Sequence, residues 1–314
     1  MVLDPQTTAF VFPGQGSQVV GMGRALAESD SQAAAVFRQA EHILETPLSQ
    51  ICWQGPADVL NDTLNTQPAL LTHSVAVLRA LQARFPSLRA AFAAGHSLGE
   101  FSALVAAGAI SFADALRLVR ARGQAMRSAG ECSPGGMAAV LGLEASEVEQ
   151  VCLSVAGAGG TVQVANDNCP GQVVISGDET ALRQAIAELE RHGAKRVVRL
   201  AVSIAAHSPL MHSAQDEFNR ALDAAPIRDP EIPVVGNVSA APLQTAAQIR
   251  ADLNAQLTSQ VRWADSIRRM VASGVRTFLE LGSGSVLTGL LRRIDPATRG
   301  IALDAPESFQ LLLG

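Results

Sequence analysis

The chain has 314 residues, 48% of them apolar and 17% charged, with a net charge of -5. Enough apolar material for a sizeable core excludes disorder, the acidic balance argues against non-specific nucleic-acid binding, and the absence of tyrosine removes a usual base-stacking side chain. The start MVLDPQTTAFVFPGQGSQ lacks the basic, hydrophobic and cleavage-site pattern of a targeting segment, and no apolar run is long enough to cross a bilayer, so a cytoplasmic protein away from membranes is expected.

In chain order, TAFVFP predicts a first strand that runs into the loop FPGQGSQVVGMG. This loop contains neither G-x-G-x-x-G nor G-x-x-x-x-G-K-[ST], so it is no nucleotide cradle. What Gly14 and Gly16 offer is exposed backbone at a strand end, a place for an oxyanion donor. RAAFAAGHS reads as a second strand, followed by helical LGEFSALVAAGAI and SFADALRLVRARGQAMRSAG, and this alternation predicts an α/β fold with a mostly parallel sheet covered by helices. After the SPGG break at Ser133 to Gly136 the rhythm becomes strand, helix, strand, strand, helix, strand. That is the order of a ferredoxin-like unit, placed at residues 133–202, with residues 1–132 and 203–314 forming the larger domain. IPVVGNV, TFLELG and GIALD are further strands of the larger domain. The four cysteines, Cys52, Cys132, Cys152 and Cys169, show no C-x-x-C spacing and read as reduced thiols, with no metal site. Two basic clusters, Arg191, Lys195, Arg196 and Arg199, and Arg268, Arg269 and Arg276, are solvated surface or a face for an acidic partner.

Chemistry concentrates at GHSLGE. A strand ending in G-H-S-L-G and turning into a helix is the nucleophile-elbow pattern: Gly95 and Gly99 let the helix return close to the strand, and Ser97 projects from the turn. The N–H of Leu98, at the helix start, can point at a developing oxyanion. Among six histidines, His96 should face away from Ser97 on its strand, and His42, His73 and His192 sit in helical patterns without reactive neighbours. His207 and His212 remain as the base, with His207 favoured because it lies between an apolar strand-like run and the predicted helix HSPLMHSAQDEF.

The helix SFADALRLVRARGQAMRSAG supplies a second clue. Phe112, Ala115, Leu116, Val119 and Met126 define its inward face, and Arg122 shares it, whereas Arg117, Arg120 and Arg127 follow the other side. An inward guanidinium needs an anion, and the pattern leaves open whether Glu100 or a ligand carboxylate supplies it.

Taken together, FPGQGSQ, NTQPAL, GHSLGEFSALVAAGAISF, RGQAM, VANDNCPGQVVISG, AAHSPLM, QLTSQVRW and LELGSGSVLTGLLRRI resemble the malonyl-CoA:acyl carrier protein transacylase family, in the family's order from residue 12 to 294. The resemblance implies a hydrolase-like α/β core with a ferredoxin-like insertion. It also implies transfer of malonyl from malonyl-CoA to the phosphopantetheine thiol of acyl carrier protein, in fatty acid biosynthesis, by a monomer without metal or cofactor. By motif it assigns Ser97 as nucleophile, His207 as base and Arg122 as the clamp on the malonyl carboxylate. It assigns the N–H groups of Gln15 and Leu98 to the oxyanion hole, the main-chain carbonyl of Gln256 to orienting the histidine, and Met126 and Asn166 to substrate contacts. The residues before the base, IAAH at Ile204 to His207, match neither the HAFH of malonyl-selecting nor the YASH of methylmalonyl-selecting polyketide acyltransferases. A free-standing acyltransferase of a polyketide synthase or malonate decarboxylase system would share the chemistry. A serine esterase or thioesterase fits less well, since no histidine follows His212.

Overall fold

All five side chains of the first strand, β1 (Thr8–Phe12), are buried, as a strand covered on both faces requires. The computed structural model describes residues 3–313. After β1 come β2 (Phe92–Gly95), β3 (Gly135–Leu141), β4 (Val162–Cys169), β5 (Gln172–Asp178), β6 (Arg196–Arg199), β7 (Val234–Val235), β8 (Pro242–Leu243), β9 (Thr277–Leu281) and β10 (Arg299–Leu303). The larger sheet has the order β10-β9-β1-β2-β7-β8. Its pairs are parallel except for the short β7/β8 pair. The period-two alternation of strand side chains divides the core. Ala9, Val11, Ala94, Val235 and Phe278 pack on one face with Trp263 and Leu287. Phe10, Phe12, Ala93, Val234 and Leu279 pack on the other with Leu70, Phe101 and Leu116.

The second sheet is antiparallel, in the order β4-β5-β3-β6. Its apolar side packs under the helices Ala145–Ala156 and Glu179–Arg191 through Val140, Val148, Val151, Ile175, Leu182 and Leu189. Asp178 starts the second of these helices by accepting from the N–H groups of Thr180 and Ala181. This is the β-α-β-β-α-β unit predicted from the rhythm after SPGG. Residues 1, 2 and 314, the outer ends of the division expected from the sequence, lie outside the described residues.

Two elements differ from expectation. The strand predicted at IPVVGNV keeps only Val234–Val235 in the sheet, because the buried carboxylate of Asp252 accepts from Val238 N at 3.1 Å and Ser239 N at 3.0 Å and pulls the chain into a loop. The helix expected from His207 begins at His212, after a short 3-10 turn at Pro209–Met211. A residue before proline is steered away from helical geometry, and Ser208 is accordingly extended, with φ -139° and ψ 165°. No helix among the described residues is long and apolar enough to cross a membrane.

The antiparallel sheet is tied to the rest of the chain near the end of β4. Val261, ahead of the helix Trp263–Ala272, donates to Ala165 O at 2.8 Å and accepts from Asp167 N at 3.0 Å. At the C-terminal end of β2, a Cβ on Gly95 would lie 1.9 Å from the carbonyl carbon of Gly99, and a Cβ on Gly99 would lie 2.1 Å from Phe12 O. Both obstacles are backbone, which cannot swing aside. Gly99→Ala is therefore expected to destabilise the fold by about 3 kcal/mol or to prevent folding. Gly289→Ala, in a helix with open space around the position, is expected to be neutral or stabilising by up to about 1 kcal/mol. Urea unfolding of the two variants checks the contrast, and equal effects would contradict it.

Candidate active site

Ser97 sits between β2 and the helix Gly99–Ala106 with φ 50°, a left-handed conformation that side chains other than glycine adopt at a cost. Asn237 holds it there. Its Oδ1 accepts from Ser97 N at 2.6 Å while its Nδ2 donates to Gly95 O at 2.7 Å, so one amide clasps both sides of the turn. The hydroxyl is 2.9 Å from His207 Nε2, and His207 Nδ1 is 2.8 Å from the main-chain carbonyl of Gln256. A carbonyl only accepts, so Nδ1 carries the hydrogen and Nε2 presents its lone pair to the serine. His207 is itself in the left-handed region, with φ 59°. Its carbonyl is fixed by Gln163 of β4, whose Nε2 donates to it at 2.7 Å and to Thr258 O at 3.2 Å.

Arg122 closes the group. It is 1% exposed, and its guanidinium donates to Gln67 Oε1 at 3.0 Å, to Gln256 Oε1 at 3.0 Å and to Ser97 Oγ at 3.1 Å. Among the described residues no carboxylate lies within ion-pair distance of it. Glu100, the protein carboxyl that the sequence offers as a partner, instead accepts from Gln256 Nε2 at 2.8 Å. The arrangement is a serine with a neutral base on one side and a cation on the other, suited to generating an alkoxide and to receiving an anionic group beside it.

The chain matches the model of the acyl transferase domain family over residues 9–296. It is 45% identical to the malonyl CoA-acyl carrier protein transacylase of Bacillus subtilis over 305 residues, covering 97% of this chain and 96% of that one. The chain belongs to the malonyl-CoA:acyl carrier protein transacylase family. A crystal structure of the Xanthomonas oryzae pv. oryzae transacylase aligns with a TM-score of 0.95 at 42% identity, over 99% of this chain and 98% of that one. A malonyl-transacylase solved in complex with a type II polyketide acyl-carrier protein aligns at 0.93 and 40% identity, over 98% of each chain.

Not every residue expected at the site touches this cluster. Met126 lies one contact away, its sulfur 3.3 Å from Gln67 Nε2. Gln15 is exposed on the loop after β1, where Thr63 Oγ1 donates to its side chain at 3.4 Å. A Cβ on Gly14 would meet His96 O at 2.3 Å, so only glycine lets that loop lie against the elbow. Among the described residues no backbone carbonyl takes the N–H of Gln15 or of Leu98. Asn166 is buried in β4, bridged to Val261, and makes no hydrogen bond to Ser97, His207 or Arg122. Its neighbour Asn168 reaches His96, 2.8 Å from Nε2. His212 is exposed at a helix start.

Gln67, Asn237 and Gln163 are absent from the site residues expected from the sequence. Gln67 carried one usable signal: it precedes Pro68 inside the helix Thr63–Arg84. Proline removes the bond that would satisfy Leu64 O, and Arg120 Nη1 donates to that carbonyl at 2.7 Å instead. The same helix pairing therefore explains two arginines, one on each side of it.

Burial and, next, the nearby Arg122 cation push the His207 imidazole down to about 3, and burial pushes His73 down to about 4. Burial also lowers Arg122, to about 10, so it stays charged at neutral pH. Because the fold favours the neutral His207 ring, the unfolded chain takes up a proton below pH 6.5 that the folded chain refuses, and this stability is lost progressively down to about pH 3. Between pH 7 and pH 5 the wild type should lose about 2 kcal/mol relative to His207→Gln in urea unfolding. Parallel pH profiles of the two proteins would contradict a buried neutral ring.

Proposed function

We propose that this chain transfers a malonyl group from malonyl-CoA to the phosphopantetheine thiol of an acyl carrier protein, by way of a malonyl ester on Ser97. The observation that carries the reading is the Arg122 guanidinium, buried, charged, in contact with Ser97 Oγ and without a carboxylate at ion-pair distance among the described residues. An acyl group bearing its own carboxylate supplies the missing anion, and the fork geometry of arginine suits carboxylates.

In this reading His207 Nε2 takes the proton as Ser97 Oγ attacks the thioester carbonyl, and the N–H groups of Gln15 and Leu98 receive the oxyanion. The C–S bond breaks, the coenzyme A sulfur leaves with the proton from His207, and malonyl-Ser97 remains. The carrier thiol then gives its proton to the same nitrogen and attacks the ester, and Ser97 recovers its hydrogen as the malonyl thioester departs. Arg122 fixes the far end of the acyl group, so acetyl lacks an orienting contact. Gln256 keeps the base in one tautomer through its carbonyl. Met126 and Asn166 complete the substrate pocket, and residues 133–202 form the smaller domain, linked to the base through Gln163. None of these steps calls on a metal or cofactor, and the protein works as a monomer in the cytoplasm.

Mixed with malonyl-CoA and no acceptor, the protein should gain one malonyl group by intact-mass measurement, and Ser97→Ala should gain none. An unmodified wild type would remove Ser97 from the role. Arg122→Ala should lower malonyl-transfer kcat/KM by about a hundredfold or more while acetyl transfer falls far less. Equal losses for the two acyl groups would make the arginine a packing residue.

A further inference from the structure

The Gln256 main chain serves His207, but its side chain has a separate set of partners. Its Nε2 donates to Glu100 Oε2 at 2.8 Å and to Ser97 O at 3.2 Å, which leaves Oε1 to accept from Arg122 Nη2 at 3.0 Å. All three bonds fix the same amide orientation, since a flipped amide would turn its NH2 group on a guanidinium that can only donate. Glu100 is fully buried, with Asn237 N as its other donor at 3.3 Å, and among the described residues its Oε1 has no hydrogen-bond partner. Arg122 Nε likewise has none.

A buried carboxyl and a buried guanidinium thus stand one amide apart, each with an unused polar atom. Direct pairing is the arrangement that arginine and carboxylate ordinarily adopt, and it would satisfy both. It would also leave Arg122 neutralised by the protein itself. We propose that the Gln256 side chain is a specificity-determining spacer: it gives Arg122 a neutral oxygen, holds Glu100 one hydrogen bond away, and so reserves the cation for an acyl group that brings a carboxylate. Gln67 completes the same environment from the other side, accepting from Arg122 Nη1 through a neutral oxygen at 3.0 Å. The proposal rests on the malonyl-transfer reading and adds to it a residue that acts through Arg122, without touching the substrate.

Two variants test it. Gln256→Glu puts a carboxylate directly on Arg122. The double variant Glu100→Gln with Gln256→Glu keeps one acid and one amide in the buried pair and moves the acid one position toward the arginine. In both, the main-chain carbonyl that orients His207 is retained. Formation of acyl-Ser97 from malonyl-CoA and from acetyl-CoA is measured for each protein, alongside its melting transition. The malonyl-to-acetyl ratio of kcat/KM is expected to fall at least about tenfold in both variants, mainly through a rise in the malonyl KM. If malonyl and acetyl transfer drop together, or the ratio stays at the wild-type value, Gln256 is structural and the spacer is overturned while malonyl transfer stands. If the wild type itself takes acetyl as readily as malonyl, the reading beneath the proposal falls, and the spacer with it.

Discussion

A guanidinium that is 1% exposed and donates to three neutral oxygens organises this site. Removing such a charge from water costs several kcal/mol even after relaxation, and hydrogen bonds to a charged group return about 1.5–3 kcal/mol each. Three of them come from three separate segments, the helix Thr63–Arg84, the elbow after β2 and the end of the helix Ala246–Gln256. The cation can keep these bonds only while the three segments stay in register, so its position ties them together. Its field also reaches the neighbouring histidine. After burial, the Arg122 charge is the next contribution that keeps His207 neutral, and a neutral imidazole is what a proton acceptor beside a serine has to be.

Backbone strain at the two reacting positions is handled by the same chemistry. Ser97 and His207 both have positive φ, 50° and 59°, and both are held by side-chain amides from elsewhere in the chain. Asn237 arrives from the loop after β7, itself tied down by Asp252, and Gln163 arrives from the antiparallel sheet. An amide offers a donor and an acceptor at a fixed separation with no net charge. It can pin a carbonyl or an N–H without disturbing the electrostatics between Arg122, His207 and the serine. The link through Gln163 means that the base is held by the antiparallel sheet as well as by Gln256, at the end of the helix Ala246–Gln256.

The sequence disclosed the parts of this arrangement that depend on local pattern. The elbow is legible in GHSLG because two close backbone approaches admit only glycine at fixed offsets from the serine. Arg122 is legible because helical periodicity puts it among Phe112, Leu116 and Met126, and the small antiparallel sheet is legible from the rhythm after Pro134. The supporting amides are not, because what makes Gln67, Gln163 and Asn237 matter is the tertiary neighbour each one meets, and an isolated Gln or Asn carries no periodic signal. The displaced helix start at His212 follows from Pro209, a local cue that the apolar pattern of HSPLMHSAQDEF overrode. Glu100 shows the limit most clearly: it was a reasonable counter-ion for Arg122 on sequence grounds, and only the chain fold puts Gln256 between them.

That interposition bears on why a main-chain carbonyl, where serine enzymes commonly use an acid, stands behind the histidine. The residue accepting from His207 Nδ1 is the same residue whose side chain touches Arg122. A carboxylate introduced there to orient the ring would stand close to a buried cation that has no carboxylate at ion-pair distance among the described residues, and in a low-dielectric interior the two would pair. The pair would hold the imidazole less well and would consume the charge that the acyl group is proposed to meet. A carbonyl supplies one acceptor, fixes the tautomer and carries no net charge. Orientation of the base and availability of the cation are therefore compatible at Gln256 only because both of its oxygens belong to amides.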